Sequence, residues 1–96
     1  MKTPSLKNLL PEKYYSRCEE IINHYRLLLK DCSVNDKEDF DIAHRESGIT
    51  RAKIRSYLQA LKDADIINEY NEMQVMEQYS TQITMMYEFW LDEVIF

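Results

Sequence analysis

The stretch that decides the predicted fold runs from residue 42 to residue 67 and reads IAHRESGITRAKIRSYLQALKDADII. Gly48 within it is the only glycine of the chain, and it lies between two segments with the apolar spacing of helices. Glycine best adopts the left-handed backbone that ends a helix, and Thr50 is a favourable residue for capping the start of the next one. The stretch therefore predicts a short helix, a tight turn at Gly48 and a second helix.

The second of these helices has an apolar face and a basic face. Its apolar residues follow the i, i+3, i+4, i+7 spacing of a buried face, and they are Ile54, Tyr57, Leu58 and Leu61. At about 100° per residue a polar stripe lies beside that face, made of Arg51, Arg55, Gln59 and Lys62. Two helices joined this way can place the second one in the major groove of DNA. The alternative is a helical hairpin that only packs against the core.

The same stretch resembles the helix-turn-helix of the winged-helix family. That family has a helix beginning Ile-Ala, then Gly-Ile-Ser/Thr, then a helix ending Leu-x-x-Leu-x-x-Ala-Gly-Leu-Ile. The matching segments here begin at Ile42, Gly48 and Leu58. Two positions depart from the pattern: Ala43 lies five residues before Gly48 instead of four, and Asp65 replaces the second glycine. Aspartate can adopt a left-handed conformation at some cost.

This resemblance implies a fold class and a set of DNA contacts. The fold would be mainly α with a small β-hairpin, a winged helix-turn-helix with a three-helix core and a C-terminal wing. The positions that commonly face nucleic acid in the family, with nearby bases that would hold phosphates, are Arg45, Thr50, Arg51, Ala52, Lys53, Arg55, Ser56, Gln59 and Lys62. Arginine can read guanine and glutamine can read adenine in the major groove.

A length of 96 residues predicts a single domain over 1–96. Pro11 suits the first turn of a helix, and Asn35 and Glu38 have a spacing similar to a capping box. The expected elements are a flexible arm at 1–10, helix 1 at 12–31, helix 2 at 36–47, the recognition helix at 50–64 and a wing or dimerisation region at 67–96.

The C-terminal third fits two patterns. With a period of two, residues 83–91 alternate between apolar and mostly polar side chains and predict a strand. With a period of seven, Met76, Ile83 and Trp90 share one seam of a helix that could pair with a second copy. The absence of Gly and Pro from the proposed turn favours the helix, whereas the alternation and the family context favour strands. A hairpin covering roughly 67–89 is the expectation.

Charge divides the chain into two parts. The net charge is −5 at pH 7, but residues 1–62 carry all 12 Lys and Arg against nine acids, whereas residues 63–96 carry eight acids and no base. A local basic patch can bind phosphates on a molecule that is acidic overall. The acidic C-terminal third is therefore expected to face away from DNA.

Aromatic and methionine residues are concentrated in the same third. A core of this size is not expected to bury all of them, and leftover apolar surface marks an interface. A homodimer is therefore expected, with an interface made of Met76, Ile83, Met86, Tyr87 and Trp90. A dimer would place two recognition helices on successive major grooves.

Composition and spacing argue against several classes of protein. No apolar run is long enough for a transmembrane helix, and no hydrophobic segment follows Lys2 as in a signal peptide, so a cytoplasmic protein is expected. Cys18 and Cys32 lie near opposite ends of one predicted helix, too far apart for a disulfide. No catalytic triad spacing, phosphate-binding glycine loop or metal-ligand spacing is present. Neither an enzyme, nor a cofactor, nor a metal site is expected.

Two functions follow from these patterns. The first is sequence-specific binding of double-stranded DNA, by a dimeric transcription regulator or by an accessory factor of plasmid or phage DNA processing, with helix 50–64 in the major groove. The alternative is a protein-interaction module that binds a protein partner through the acidic, aromatic-rich C-terminal third.

Overall fold

The computed structural model describes residues 5–92, and all regular secondary structure in that range is helical. The helices are α1 (Leu6–Leu9), α2 (Glu12–Asp31), α3 (Lys37–Asp63) and α4 (Glu69–Asp92). The three long helices pack around one core, and the short α1 contacts both α2 and α4. The molecule measures 44 × 28 × 18 Å.

α2 occupies the residues expected for helix 1. It begins directly after Pro11, which lacks an N–H group and loses no hydrogen bond at a helix start. Its buried face consists of Cys18, Ile21, Ile22, Tyr25 and Leu29. The Tyr25 hydroxyl donates a hydrogen bond to the carbonyl oxygen of Ala43 at 3.0 Å, and this bond ties α2 to α3.

α3 is continuous where a turn was expected. The prediction that a helix ends before Gly48 is wrong, because α3 runs for 27 residues through that position and Gly48 does not have a positive φ. The buried face of α3 crosses the expected turn without a break and consists of Ala43, Ser47, Thr50, Ile54, Leu58 and Leu61. Glycine inside a helix costs only about 0.5–1 kcal/mol relative to alanine. Burial of one large apolar side chain outweighs that cost.

Thr50 does not cap a helix. Its Oγ1 donates to the carbonyl oxygen of Glu46 at 2.7 Å, so its hydroxyl bonds backward within α3. The residue that caps α3 is Asp36, whose carboxylate accepts from the amides of Glu38 and Asp39. The capping residue is therefore Asp36 and not Asn35, whose spacing to Glu38 suggested a capping box. The segments expected as helix 2 and the recognition helix share this one N-terminus.

The left-handed residue that ends α3 is Asp65. Its φ is 59°, which is the conformation that aspartate was expected to accept there. The Asp65 amide donates to the carbonyl oxygen of Lys62 at 3.0 Å, and the Ile66 amide donates to that of Leu61 at 2.9 Å. This pair of bonds is the Schellman arrangement that closes a helix C-terminus. The chain then reverses, and α4 returns antiparallel to α3.

α4 replaces the expected β-hairpin wing. The fold class with a hairpin is wrong, since residues 69–92 form one helix and no strand occurs anywhere within residues 5–92. The buried residues of α4 are Val75, Tyr79, Ile83 and Trp90, which lie four, four and seven positions apart and so share one helix face. No glycine or proline interrupts this face of α4. No helix within the described residues is long and apolar enough to cross a membrane.

Candidate interaction surface

Three of the residues expected to contact DNA are engaged inside the protein. Thr50 is buried, with 5% of its surface exposed. Arg51 donates from Nε to Ser80 Oγ at 3.2 Å, and from its guanidinium Nη2 to Thr84 Oγ1. Lys62 Nζ lies 3.4 Å from a carboxylate oxygen of α4. Arg51 and Lys62 therefore hold α3 to α4.

The other expected DNA-contacting residues lie on the exposed side of α3, and they are Arg45, Ala52, Lys53, Arg55, Ser56 and Gln59. Gln59 Nε2 donates to Asp63 Oδ1 at 2.9 Å. Arg45, Lys53 and Arg55 form no ion pair with any residue of 5–92. The structure thus places several predicted residues along one helix, but no turn precedes them and the described chain has no wing.

The expected dimer interface lies largely within the core of a single chain. Ile83 is fully buried and Trp90 is 6% exposed. The Trp90 indole Nε1 donates to the carbonyl oxygen of Cys32 at 3.1 Å, and its ring stacks on that of Tyr87 with centroids 5.9 Å apart. Met76, Met86 and Tyr87 are half-buried. Little of this seam is left for a partner to contact.

α4 exposes a different set of apolar side chains, which the sequence reasoning did not single out. They are Tyr70, Met73, Met85 and Phe89, exposed by 55%, 59%, 47% and 65%. These four are half of the eight exposed large hydrophobic side chains in the described part of the chain. They could be identified from their positions around the helix, because the 3.6-residue period places them on a different side from the buried Val75, Tyr79 and Ile83.

α4 and the adjoining segment 44–62 of α3 have opposite charge. The acidic residues of α4 are Glu69, Glu72, Glu77, Glu88 and Asp92, and α4 has no Lys or Arg. All of them except Glu72, which pairs with Lys62, are exposed and make no ion pair within residues 5–92. On α3, by contrast, residues 44–62 contain five bases and one acid. An acidic and apolar surface therefore adjoins a basic one.

Two grooves follow the helix boundaries. A groove of about 180 Å³ between α3 and α4 is lined by Arg55, Leu58, Gln59, Glu72, Met73 and Met76. A wider one of about 820 Å³ between α2 and α3 includes Arg17, His24 and Lys53 in its lining. No group of three His, Cys, Asp or Glu among residues 5–92 is placed to bind a metal.

The two cysteines are free thiols. Burial raises the pKa of Cys18 to about 12. Cys32 is half-buried, and burial followed by the nearby acids Asp39 and Asp31 raises its pKa as well. Thiols with raised pKa values are weak nucleophiles and weak metal ligands.

No protein family, curated protein or solved structure matches this chain.

Proposed function

We propose that the protein is a protein-interaction module whose contact surface is the outward side of α4. The observation that carries this proposal is the combination on α4 of four exposed large apolar side chains, several exposed carboxylates and no base. Aromatic residues and methionine are enriched at the centres of protein interfaces, where a polar rim surrounds them. Next to Phe89 the exposed carboxylates are Glu88 and Asp92, whereas Arg26 and Lys30 of α2 line the groove on its other side. The α4 carboxylates favour a basic patch on the partner, because complementary charge speeds encounter and selects partners.

None of these four side chains belongs to the core cluster. The inner side of α4 is filled by Val75, Tyr79 and Ile83, each fully buried, and Trp90 closes the end of the core. Phe89 next to it is 65% exposed, so its ring gives the core little. An exposed phenylalanine outside the core is a candidate contact residue.

The test is site-specific photo-cross-linking in the native cell. A photoreactive phenylalanine analogue replaces Phe89 in one variant and Leu27 in another. Leu27 is a matched control because it is apolar and 61% exposed but lies on α2. We expect a discrete protein adduct from position 89 and none from position 27. We expect Asp92→Lys to weaken the adduct, because Asp92 is exposed one helical turn from Phe89.

Circular dichroism of each variant establishes that the helices are intact. Equal adducts from positions 89 and 27 would mean that labelling follows exposure alone, and no adduct from position 89 would remove the proposal. An adduct that survives reversal of the α4 charges would contradict the part of the proposal that concerns a basic partner.

A second candidate is binding of double-stranded DNA through the exposed side of α3. The observation that favours it is the presence there of Arg45, Lys53 and Arg55 without ion-pair partners within residues 5–92. Its test is selection from a random duplex library at two salt concentrations, since phosphate binding is strongly salt-dependent. Enrichment of a sequence that Arg45→Ala and Arg55→Ala abolish would favour this candidate over the protein-interaction module.

A further inference from the structure

We infer that a second copy of this chain is one partner of α4, an inference that rests on the proposed protein-interaction function. The face concerned is the outer side of the α3–α4 pair, on the side away from α2. One helix contributes bases to this face and the other contributes acids. A two-fold rotation of such a face brings opposite charges together.

Two exposed strips make up the face. The α3 strip consists of Arg45, Gly48, Ala52, Arg55 and Gln59, and the α4 strip consists of Tyr70, Met73, Glu77, Thr81, Thr84 and Glu88. Steps of three and four residues keep each strip on one side of its helix. Every residue in both strips is exposed, and Ala52 marks the edge of the α3 strip because it also lines the groove between α2 and α3. The groove between the strips is lined by residues of α3 and α4 alone, which places it away from α2.

Contacts within one chain show which positions of α3 and α4 lie at the same height along the bundle. Near one end, the rings of His44 and Tyr87 have centroids 5.8 Å apart. Near the other end, Lys62 Nζ lies 3.4 Å from Glu72 Oε1. The two helices are antiparallel and rise by about 1.5 Å per residue, so the positions between these contacts can be interpolated.

Interpolation puts the charges of the two strips, which make no ion pair within residues 5–92, at matching heights. Arg45 lies level with Glu88, and Arg55 lies level with Glu77, each within about one helical turn. A two-fold axis parallel to the helices preserves height, so it sets α3 of one chain antiparallel to α4 of the other, as in a four-helix bundle. Arg45 then faces Glu88 of the partner subunit, and Arg55 faces Glu77 of the partner subunit. The symmetry repeats both pairs.

Apolar contact accompanies these charges. Tyr70 and Met73 belong to the α4 strip and are 55% and 59% exposed in the single chain, so association would cover them. Phe89 instead lines a groove that includes Arg26 and Lys30 of α2, outside the two strips. The dimer therefore leaves the Phe89 side of α4 available to another protein.

The experiment is sedimentation velocity of the full chain over a wide range of concentration. We expect a monomer–dimer equilibrium that Arg55→Glu and Glu77→Arg each weaken roughly tenfold or more, because each change places like charges opposite one another twice. An equimolar mixture of these two variants should recover the parental dimer, since every contact in the mixed dimer again joins opposite charges. Lys53→Glu is the matched control, because Lys53 is an exposed base of α3 that lines the α2 groove.

Recovery in the mixture would establish the pairing, since two misfolded chains would not restore each other. A chain that remains monomeric at every concentration, a mixture that does not recover, or a control that weakens the dimer equally would each overturn the inference. The proposed function is judged separately by the adduct from position 89. A monomeric chain that still forms that adduct would lose only the second copy as a partner.

Discussion

Replacement of Gly48 by alanine tests the continuous α3 helix through the sign of a stability change. Gly48 is exposed in the interior of α3, and a Cβ added there meets no atom within 4 Å. Alanine is favoured over glycine in a helix interior by about 0.5–1 kcal/mol, so Gly48→Ala should raise the free energy of unfolding by that amount. For a domain of this size, each kcal/mol corresponds to about 4–8 °C in Tm.

The measurement is urea unfolding followed by circular dichroism, at a protein concentration where the chain sediments as a monomer. A left-handed turn at Gly48 would give the opposite sign, because a Cβ in that conformation costs about 1–2 kcal/mol. Ala52→Gly is the matched control, since Ala52 is exposed one turn further along α3, and it should destabilise by about 0.5–1 kcal/mol. A clear loss of stability in Gly48→Ala would refute the uninterrupted helix.

Four further predictions concern the core and its titrating groups. Tyr25→Phe removes a hydroxyl that donates at 3.0 Å and should lower the free energy of unfolding by about 1 kcal/mol. Tyr79→Phe removes a buried hydroxyl that makes no hydrogen bond of good geometry within residues 5–92, although Glu19 is near enough to raise its pKa after burial has done so. Tyr79→Phe should therefore cost less than Tyr25→Phe, and urea unfolding of both variants checks the contrast. Arg51→Ala deletes two hydrogen bonds to α4, so the free energy of unfolding should fall by about 1 kcal/mol or more. The same loss is expected with and without DNA, and urea unfolding measures it. A thiol reagent should label Cys32 well before Cys18, which is fully buried, and equal rates would mean that α2 opens easily. Burial raises the pKa of Tyr25 from 10.0 to about 12, so the unfolded chain loses this proton first, and stability should fall as pH rises from about 10 to about 12; a flat alkaline profile would contradict this.

Glycine explains the main error in the sequence-based fold. Gly48 permits a turn but does not impose one, and its effect depends on the neighbouring buried face. Ala43, Ser47 and Thr50 continue the face of Ile54 upstream, but two of them are polar, so hydropathy alone did not reveal the continuity. The stripe of α2 carried large apolar residues throughout, which is why its range was predictable.

α4 illustrates a second limit of periodicity. Apolar residues at 83, 85, 87, 89 and 91 alternate like a strand, yet in the helix they divide between the core, where Ile83 is buried, and the exposed Met85 and Phe89. The charge asymmetry was visible in the sequence, and so was the candidate protein-binding region. The sequence did not show which aromatic residues face outward, because that depends on how α4 is rotated against α3. The contacts that fix this rotation join residues far apart in sequence, such as Arg51 and Ser80.

Trp90 gives this protein a built-in optical reporter. It is the only tryptophan, it is nearly buried, and its indole donates to a backbone carbonyl near the end of α2. Its emission should therefore shift to longer wavelength when the end of the bundle opens to water. Because Phe89 is its neighbour in the chain, a ligand that settles on that side of α4 should also change the tryptophan signal. The fluorescence of the unlabelled protein can thus report both unfolding and ligand binding in the same emission range.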